Sequence, residues 1–289
     1  MVHTFAMASP GAPLPSMRPM TVWQILDGSV RMYRENFALF LAMTMLPTIP
    51  LAIAEVASLG LAWDAISSTA GRPPGEEQLF TFFLMMGLYL IFTFLHFGVA
   101  FPLSIGALTV AMSKRYLGEP VTLGSAFRPV FRNFWRYLLT SLLVSLIAIF
   151  AKSCTCGILF CFTWVWFLFT PCVMIIEGLG GTPAMGRSKE LTAGHGWRIF
   201  GASCVMAIVD GLFKYLLPIG VGTWIEAQFE SPGLQQVVQS SIQLLVTTVT
   251  EPLWAILAIM LYFDMRIRKE GYDLAMASHR LGGGSPLAA

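Results

Sequence analysis

An apolar run from about Val237 to Phe263 contains one acid, Glu251, and no lysine or arginine. It stops at Tyr262-Phe263 and then meets Arg266, Arg268 and Lys269 within four residues. Hydrocarbon leaves no backbone group without a partner, so such a run must cross as a helix, which takes about 20 residues. An aromatic pair suits the headgroup level, and the cations stay on the side where they need not cross. The run therefore predicts a membrane span ending in the cytoplasm. The number of spans upstream then decides which side every loop faces.

Composition agrees. Of the 289 residues, 56% are hydrophobic and only 12% charged, whereas a soluble domain carries about 25% charged residues. A net charge of +2 is too small to suggest a nucleic-acid partner. Five cysteines offer no metal-ligand spacing: Cys154 and Cys156 share a short loop, while Cys161, Cys172 and Cys204 sit in apolar runs. They read as small packing residues, with a 154–156 disulfide as the alternative. No metal and no cofactor are expected.

Residues 1–20, with four prolines and a single cation, lack the apolar core of a secretory signal. They are expected to form a disordered cytoplasmic tail, and 275–289 a flexible one. Between them, 21–274 is expected to be one six-span membrane domain. Thr21 with Gln24 makes a capping box. Val22, Leu26, Val30, Tyr33 and Phe37 follow at helical spacing, as in a helix lying on the membrane. The first span is expected over about Phe37–Leu61, bent by Pro47 and Pro50. The second apolar run, Leu79–Met112, is too long for one upright crossing and must tilt, bend near Pro102 or project beyond the bilayer. A second surface helix is expected from Thr122, with Leu123, Phe127, Val130 and Phe134 along one stripe. Spans over about Phe134–Ala151 and Gly157–Ile176 follow. Thr182-Pro183 predicts a third such helix, before spans over about Ile199–Val221 and Val237–Phe263. The expected fold is thus all-α, six transmembrane helices in three hairpins, each preceded by an amphipathic interfacial helix.

Six spans that end inside also begin inside, and the cations test this independently. The expected cytoplasmic side holds Arg18, Arg31, Arg34, Lys114, Arg115, Arg128, Arg132, Arg136, Arg187, Lys189, Arg198, Arg266, Arg268, Lys269 and Arg280. Only Arg72, Lys152 and Lys214 fall elsewhere, as the positive-inside rule requires.

Three segments carry a family likeness. Trp23-Gln24-Ile25-Leu26-Asp27-Gly28-Ser29, leading to Tyr33-Arg34-Glu35-Asn36-Phe37, is the first. Arg187-Ser188-Lys189-Glu190-Leu191-Thr192 with Trp197-Arg198-Ile199-Phe200-Gly201 is the second. Leu261-Tyr262-Phe263-Asp264 with Arg266, Arg268, Lys269, Glu270, Gly271, Tyr272 and Asp273 is the third. Together they resemble the bacterial family named for the membrane domain of glycerophosphoryl diester phosphodiesterases. The resemblance implies a multi-pass protein of the bacterial inner membrane and no particular chemistry. Members that hydrolyse glycerophosphodiesters do so with a separate barrel that follows the membrane region. Sixteen residues follow Asp273 here, so no such barrel is expected, and no catalytic role.

Two sets of residues remain as candidate sites. Ionisable groups inside spans are costly and mark function by default; these are His96, Asp210, Lys214 and Glu251. Asp210 and Lys214, four apart, share a helix face. At about 1.5 Å per residue, Asp210 lies roughly 18 Å, Lys214 roughly 24 Å and Glu251 roughly 20 Å from the cytoplasmic ends of their spans. They could form a substrate or proton site, or a self-neutralising network that fixes packing. No paired broken helices of the transporter kind are read from the sequence. The second set, Arg31, Arg34, Arg128, Arg132, Arg136, Arg187, Lys189, Arg198, Arg266, Arg268 and Lys269, would gather at the headgroup level. There they could contact anionic phospholipid or a partner protein, or simply orient the bundle. No nucleotide loop, metal motif or nucleophile elbow is present.

Overall fold

The computed structural model describes residues 19–67, 75–116, 119–154, 158–216 and 232–271, with 220–222, 224, 228 and 229 between the last two. The expected tails lie outside these residues except for Pro19 and Met20. So do Arg72, Cys156 and the side chain of Cys154. Cys161, Cys172 and Cys204 form no disulfide with one another.

Among the described residues the chain is all helix, with six helices long and apolar enough to cross a membrane. They cover Phe37–Ser58, Leu79–Arg115, Phe134–Ser153, Leu159–Ile176, Gly196–Gly222 and Val237–Glu270. Their starts and ends lie close to the expected ones, because charge and proline mark them in the sequence.

Helix α1, Val22–Glu35, starts at the expected capping box: Thr21 Oγ1 accepts from the Gln24 amide and the Gln24 side chain accepts from the Thr21 amide. It ends at Asn36, and α2, Phe37–Ser67, begins at the next residue. The corner recurs further on. Thr122 and Ser125 form a second capping box at the start of α5, Leu123–Arg132, and Asn133 ends it just before α6, Phe134–Cys154. The third short helix differs. In α9, Thr182–Thr192, the N-cap position belongs to Gly181 at φ 67°, and Thr182 lies inside the first turn.

Of the expected stripe on α1, Tyr33 is buried, Val22 and Leu26 are half-buried against the core, and Val30 and Phe37 are exposed; Ile25, Gly28 and Ser29 are buried as well. Gly28 and Ser29 meet Met260, and the Ser29 hydroxyl donates to the Ile25 carbonyl at 2.7 Å. Gly28 leaves room for the end of the Met260 side chain, where a Cβ would collide with it.

The second span contains α3, Glu76–Leu95, a π-helical turn over His96–Ala100, and α4, Phe101–Tyr116. Pro102 has no amide to donate, and the Phe101 amide reaches back to the His96 carbonyl in the wider register. Tyr137 of α6 donates its hydroxyl to the Pro102 carbonyl. The fourth span is divided into α7, Ile158–Phe167, and α8, Thr170–Ile176, with Pro171 in the first turn of α8. The fifth, α10, Gly196–Gly211, continues into a π turn over Leu212–Leu216. The last, α11, Pro232–Glu270, is the centre of the molecule. Its residues from Ala255 to Tyr262 are all buried, and it packs most extensively on α2, then on α1 and α4. It meets α10, its predecessor in sequence, only sparsely.

Candidate functional site

Charged residues collect at the end of the bundle where α1, α9, α10 and α11 meet, and they form two hubs. The first centres on Asp264, which has no exposed surface. One carboxylate oxygen accepts the Met20 amide at 2.8 Å; the other accepts Arg198 at 3.1 Å and Arg268 at 2.9 Å. Both guanidinium groups also donate to the Met20 carbonyl. The chain entering α1, the start of α10 and the end of α11 are thus tied at one carboxylate. Met20, which the sequence assigns to the tail, is held by its backbone here.

The second hub centres on Arg187 of α9. It pairs with Glu177 at 2.9 Å, with Glu190 at 3.1 Å and with Glu270. Glu177 in turn accepts the Tyr262 hydroxyl at 2.9 Å, and Glu270 accepts Arg266 at 2.9 Å. Burial works against the Arg187 charge, but the hydrogen bonds and charges of Glu177 and Glu190 hold its pKa above the ordinary guanidinium value. Lys269 donates to the Glu190 carbonyl, and the Lys189 ammonium lies 4.7 Å from the centre of the Trp166 ring. Six of the candidate surface cations, Arg187, Lys189, Arg198, Arg266, Arg268 and Lys269, are therefore engaged within the molecule.

The other five are not. Arg31 and Arg34 on α1, Arg128 and Arg132 on α5, and Arg136 in the first turn of α6 are exposed, with no ion pair among the described residues. Arg132, Asn133 and Arg136 line a cavity of about 80 Å³ together with Tyr137, Met174, Gly178 and Leu179. The turn over 177–181 shapes its rim. Gly178 has φ 68°, a conformation glycine adopts freely, and the Gly181 amide donates to Thr140 Oγ1 at 2.8 Å. The Arg136 side chain lies across Gly180, where a Cβ would collide with it.

The intramembrane candidates come partly together. Lys214 pairs with Asp210 at 2.8 Å. Glu251 accepts the Thr48 hydroxyl at 3.2 Å. Lys214 lies within electrostatic reach of both Glu251 and His96, so the four groups share one region. Asp210 Oδ1 and Glu251 Oε1 are buried and have no hydrogen-bond partner among the described residues. His96, Lys214 and Glu251, with Thr48, also sit at helix irregularities. His96 and Lys214 lie in the two π turns, Glu251 precedes Pro252, and Thr48 lies between Pro47 and Pro50. Such turns recur at functional sites because they redirect side chains and free backbone groups. Both spans nevertheless run on as helix through their π turns, so these are not the broken half-helices of a transporter. π turns leave no mark in hydrophobic periodicity.

No protein-family model, curated protein or solved structure matches this chain.

Sequence reasoning singled out the cations and passed over the acids that hold them. Asp264 with Arg268, and Arg266 with Glu270, stand at i, i+4 spacing on one helix. That spacing was the available signal.

Proposed function

We propose that this chain is a non-catalytic accessory component of a membrane, acting through unpaired arginines that bind anionic phospholipid headgroups. In this reading the bundle is three hairpins, each preceded by an interfacial helix, with both termini cytoplasmic in a bacterial inner membrane. The resemblance to the glycerophosphoryl diester phosphodiesterase membrane-domain family agrees with that placement. The observation that carries the reading is the division of the arginines. Those on α9, α10 and α11 neutralise Glu177, Asp264 and Glu270, while those on α1, α5 and the start of α6 stay free. Arg132 and Arg136 flank a recess of headgroup scale, and a guanidinium fork matches phosphate oxygens.

Each cation near an anionic leaflet contributes about 1 kcal/mol. Losing two should therefore weaken retention of phosphatidylglycerol by about 2 kcal/mol, roughly 30-fold. Native mass spectrometry of the protein released from mixed phosphatidylglycerol and phosphatidylcholine nanodiscs reads this directly. The double variant Arg132→Gln, Arg136→Gln should retain far fewer phosphatidylglycerol molecules than the unaltered chain. Equal retention would overturn the reading.

A second reading, a carrier of a small or lipidic solute, draws on the unpartnered carboxylate oxygens of Asp210 and Glu251 beside the π turns. It requires water to reach them. In a background lacking the five cysteines, Thr48→Cys should then react with a membrane-impermeant thiol reagent; no reaction from either side would remove this reading.

A further inference from the structure

A second cavity, of about 120 Å³, lies away from both charge hubs and is lined by the second, third and fourth spans, open on one side. Its walls are largely apolar. Phe97 and Phe101 approach it from the π turn and α4, and Phe160 and Trp164 from α7. The rings contact one another, with Phe101 and Trp164 stacked at 6.2 Å. On the α6 side the lining residues Ser141, Ser145, Ala148 and Lys152 follow one another at helical spacing. Ser141 and Ser145 are buried, and Lys152, in the last turn, is exposed. Thr170, 2% exposed, also lines the cavity, and its hydroxyl has no hydrogen-bond partner among the described residues.

This void is nearly as large as the roughly 150 Å³ apolar cavity that stays dry and takes up a benzene ring. Its lining forfeits dispersion contacts while it is empty. In a bilayer the neighbouring apolar matter is acyl chain. From Ser141 to Lys152 the α6 wall rises eleven residues, about 16 Å, so a chain lying along it has its polar head at Lys152. The ammonium there makes no ion pair among the described residues. An anionic head supplies one. We propose that this cavity seats a stretch of one acyl chain of an anionic lipid between α6 and the ring wall, the rest of that chain running along the outside of α6, with the headgroup beside Lys152. The Thr170 hydroxyl is left for a water or for a polar atom of that lipid.

The site is distinct from the arginine recess of α5 and α6 and does not depend on it. It lies at the opposite end of α6. Photolabelling separates the two. The protein is reconstituted in nanodiscs containing phosphatidylglycerol or phosphatidylcholine that carries the same mid-chain diazirine, and labelled peptides are mapped. Label from phosphatidylglycerol should concentrate on residues 141–152 and 160–171, at least fivefold above the exposed face of α3 around Phe80 and Phe83. Ala148→Phe, which fills the cavity, should reduce that label at least fivefold while leaving the α3 label unchanged. Lys152→Gln alters an exposed residue and leaves the fold alone; it should bring the phosphatidylglycerol to phosphatidylcholine ratio to one. Labelling of the cavity no greater than that of α3, or a ratio that Lys152→Gln does not move, would overturn the proposal. Loss of preference only in the Arg132→Gln, Arg136→Gln variant would do the same.

Discussion

Asp264 takes three hydrogen bonds with no solvent contact, and each comes from a different part of the chain: Met20, Arg198 and Arg268. Removing a buried carboxylate strands its cations, which costs about 3–5 kcal/mol, against about 1 kcal/mol or less for an exposed pair. Asp264→Ala should accordingly lower unfolding free energy in a denaturant titration in mixed micelles by about 3–5 kcal/mol. Arg268→Gln should cost less, because Arg198 and the Met20 amide still satisfy the carboxylate. A loss at Asp264 no larger than that of a surface pair would remove the hub from the account. Tyr33 offers a separate test through pH. Burial pushes its hydroxyl up from 10.0 to about 12, and it donates to the Val249 carbonyl at 2.8 Å. The native state thus holds the proton more tightly than the unfolded chain. Stability from this group is fully present below pH 10.0 and is lost as pH rises to about 12. Tyr33→Phe should flatten that part of the pH–stability curve, and an unchanged curve would contradict the assignment.

At the scale of the element, α1 shows why a membrane chain hides its buried faces. In water, an apolar stripe points to the core; in a bilayer, lipid and protein faces are both apolar. Of the periodic stripe Val22, Leu26, Val30, Tyr33, Phe37, only Tyr33 is fully buried, beside Ile25, Gly28 and Ser29, which that periodicity does not pick out. Ile25→Ala should cost about 2–5 kcal/mol, and Val30→Ala within about 0.5 kcal/mol, in the same titration. Equal losses would restore the periodic stripe as the packed face. The pair on α10 is tested by a cycle. Lys214→Leu leaves Asp210 unpaired within the span, so it should destabilise more than Lys214→Leu with Asp210→Leu. Pairing Lys214→Leu with Glu251→Leu should show weaker coupling, because Glu251 accepts from Thr48. The reverse order would make Glu251 the true partner.

For the whole molecule, the sequence makes the spans legible and the packing much less so. Runs such as Phe134–Ala151, with Arg136 in its first turn and Lys152 just past its end, mark their own ends through hydropathy and charge. The capping box at Thr21 marks the start of α1 in the same way. The π turns at His96 and Lys214 depend on backbone register, which no side-chain pattern records. The central position of α11 against α2 rather than α10 is tertiary and equally silent in sequence. The candidate cations were all visible, but their division into engaged and free sets turns on acids distant in sequence, such as Glu177 beside Arg266. That division has a direct thermal consequence. A ligand that binds only the folded state raises its stability, so phosphatidylglycerol nanodiscs should raise the unfolding temperature above that in phosphatidylcholine. Measured on three chains, that increment should persist in Arg198→Gln, Arg268→Gln, whose baseline falls, and shrink in Arg132→Gln, Arg136→Gln, whose baseline stays. An increment lost with the engaged pair and kept without the free pair would contradict the account.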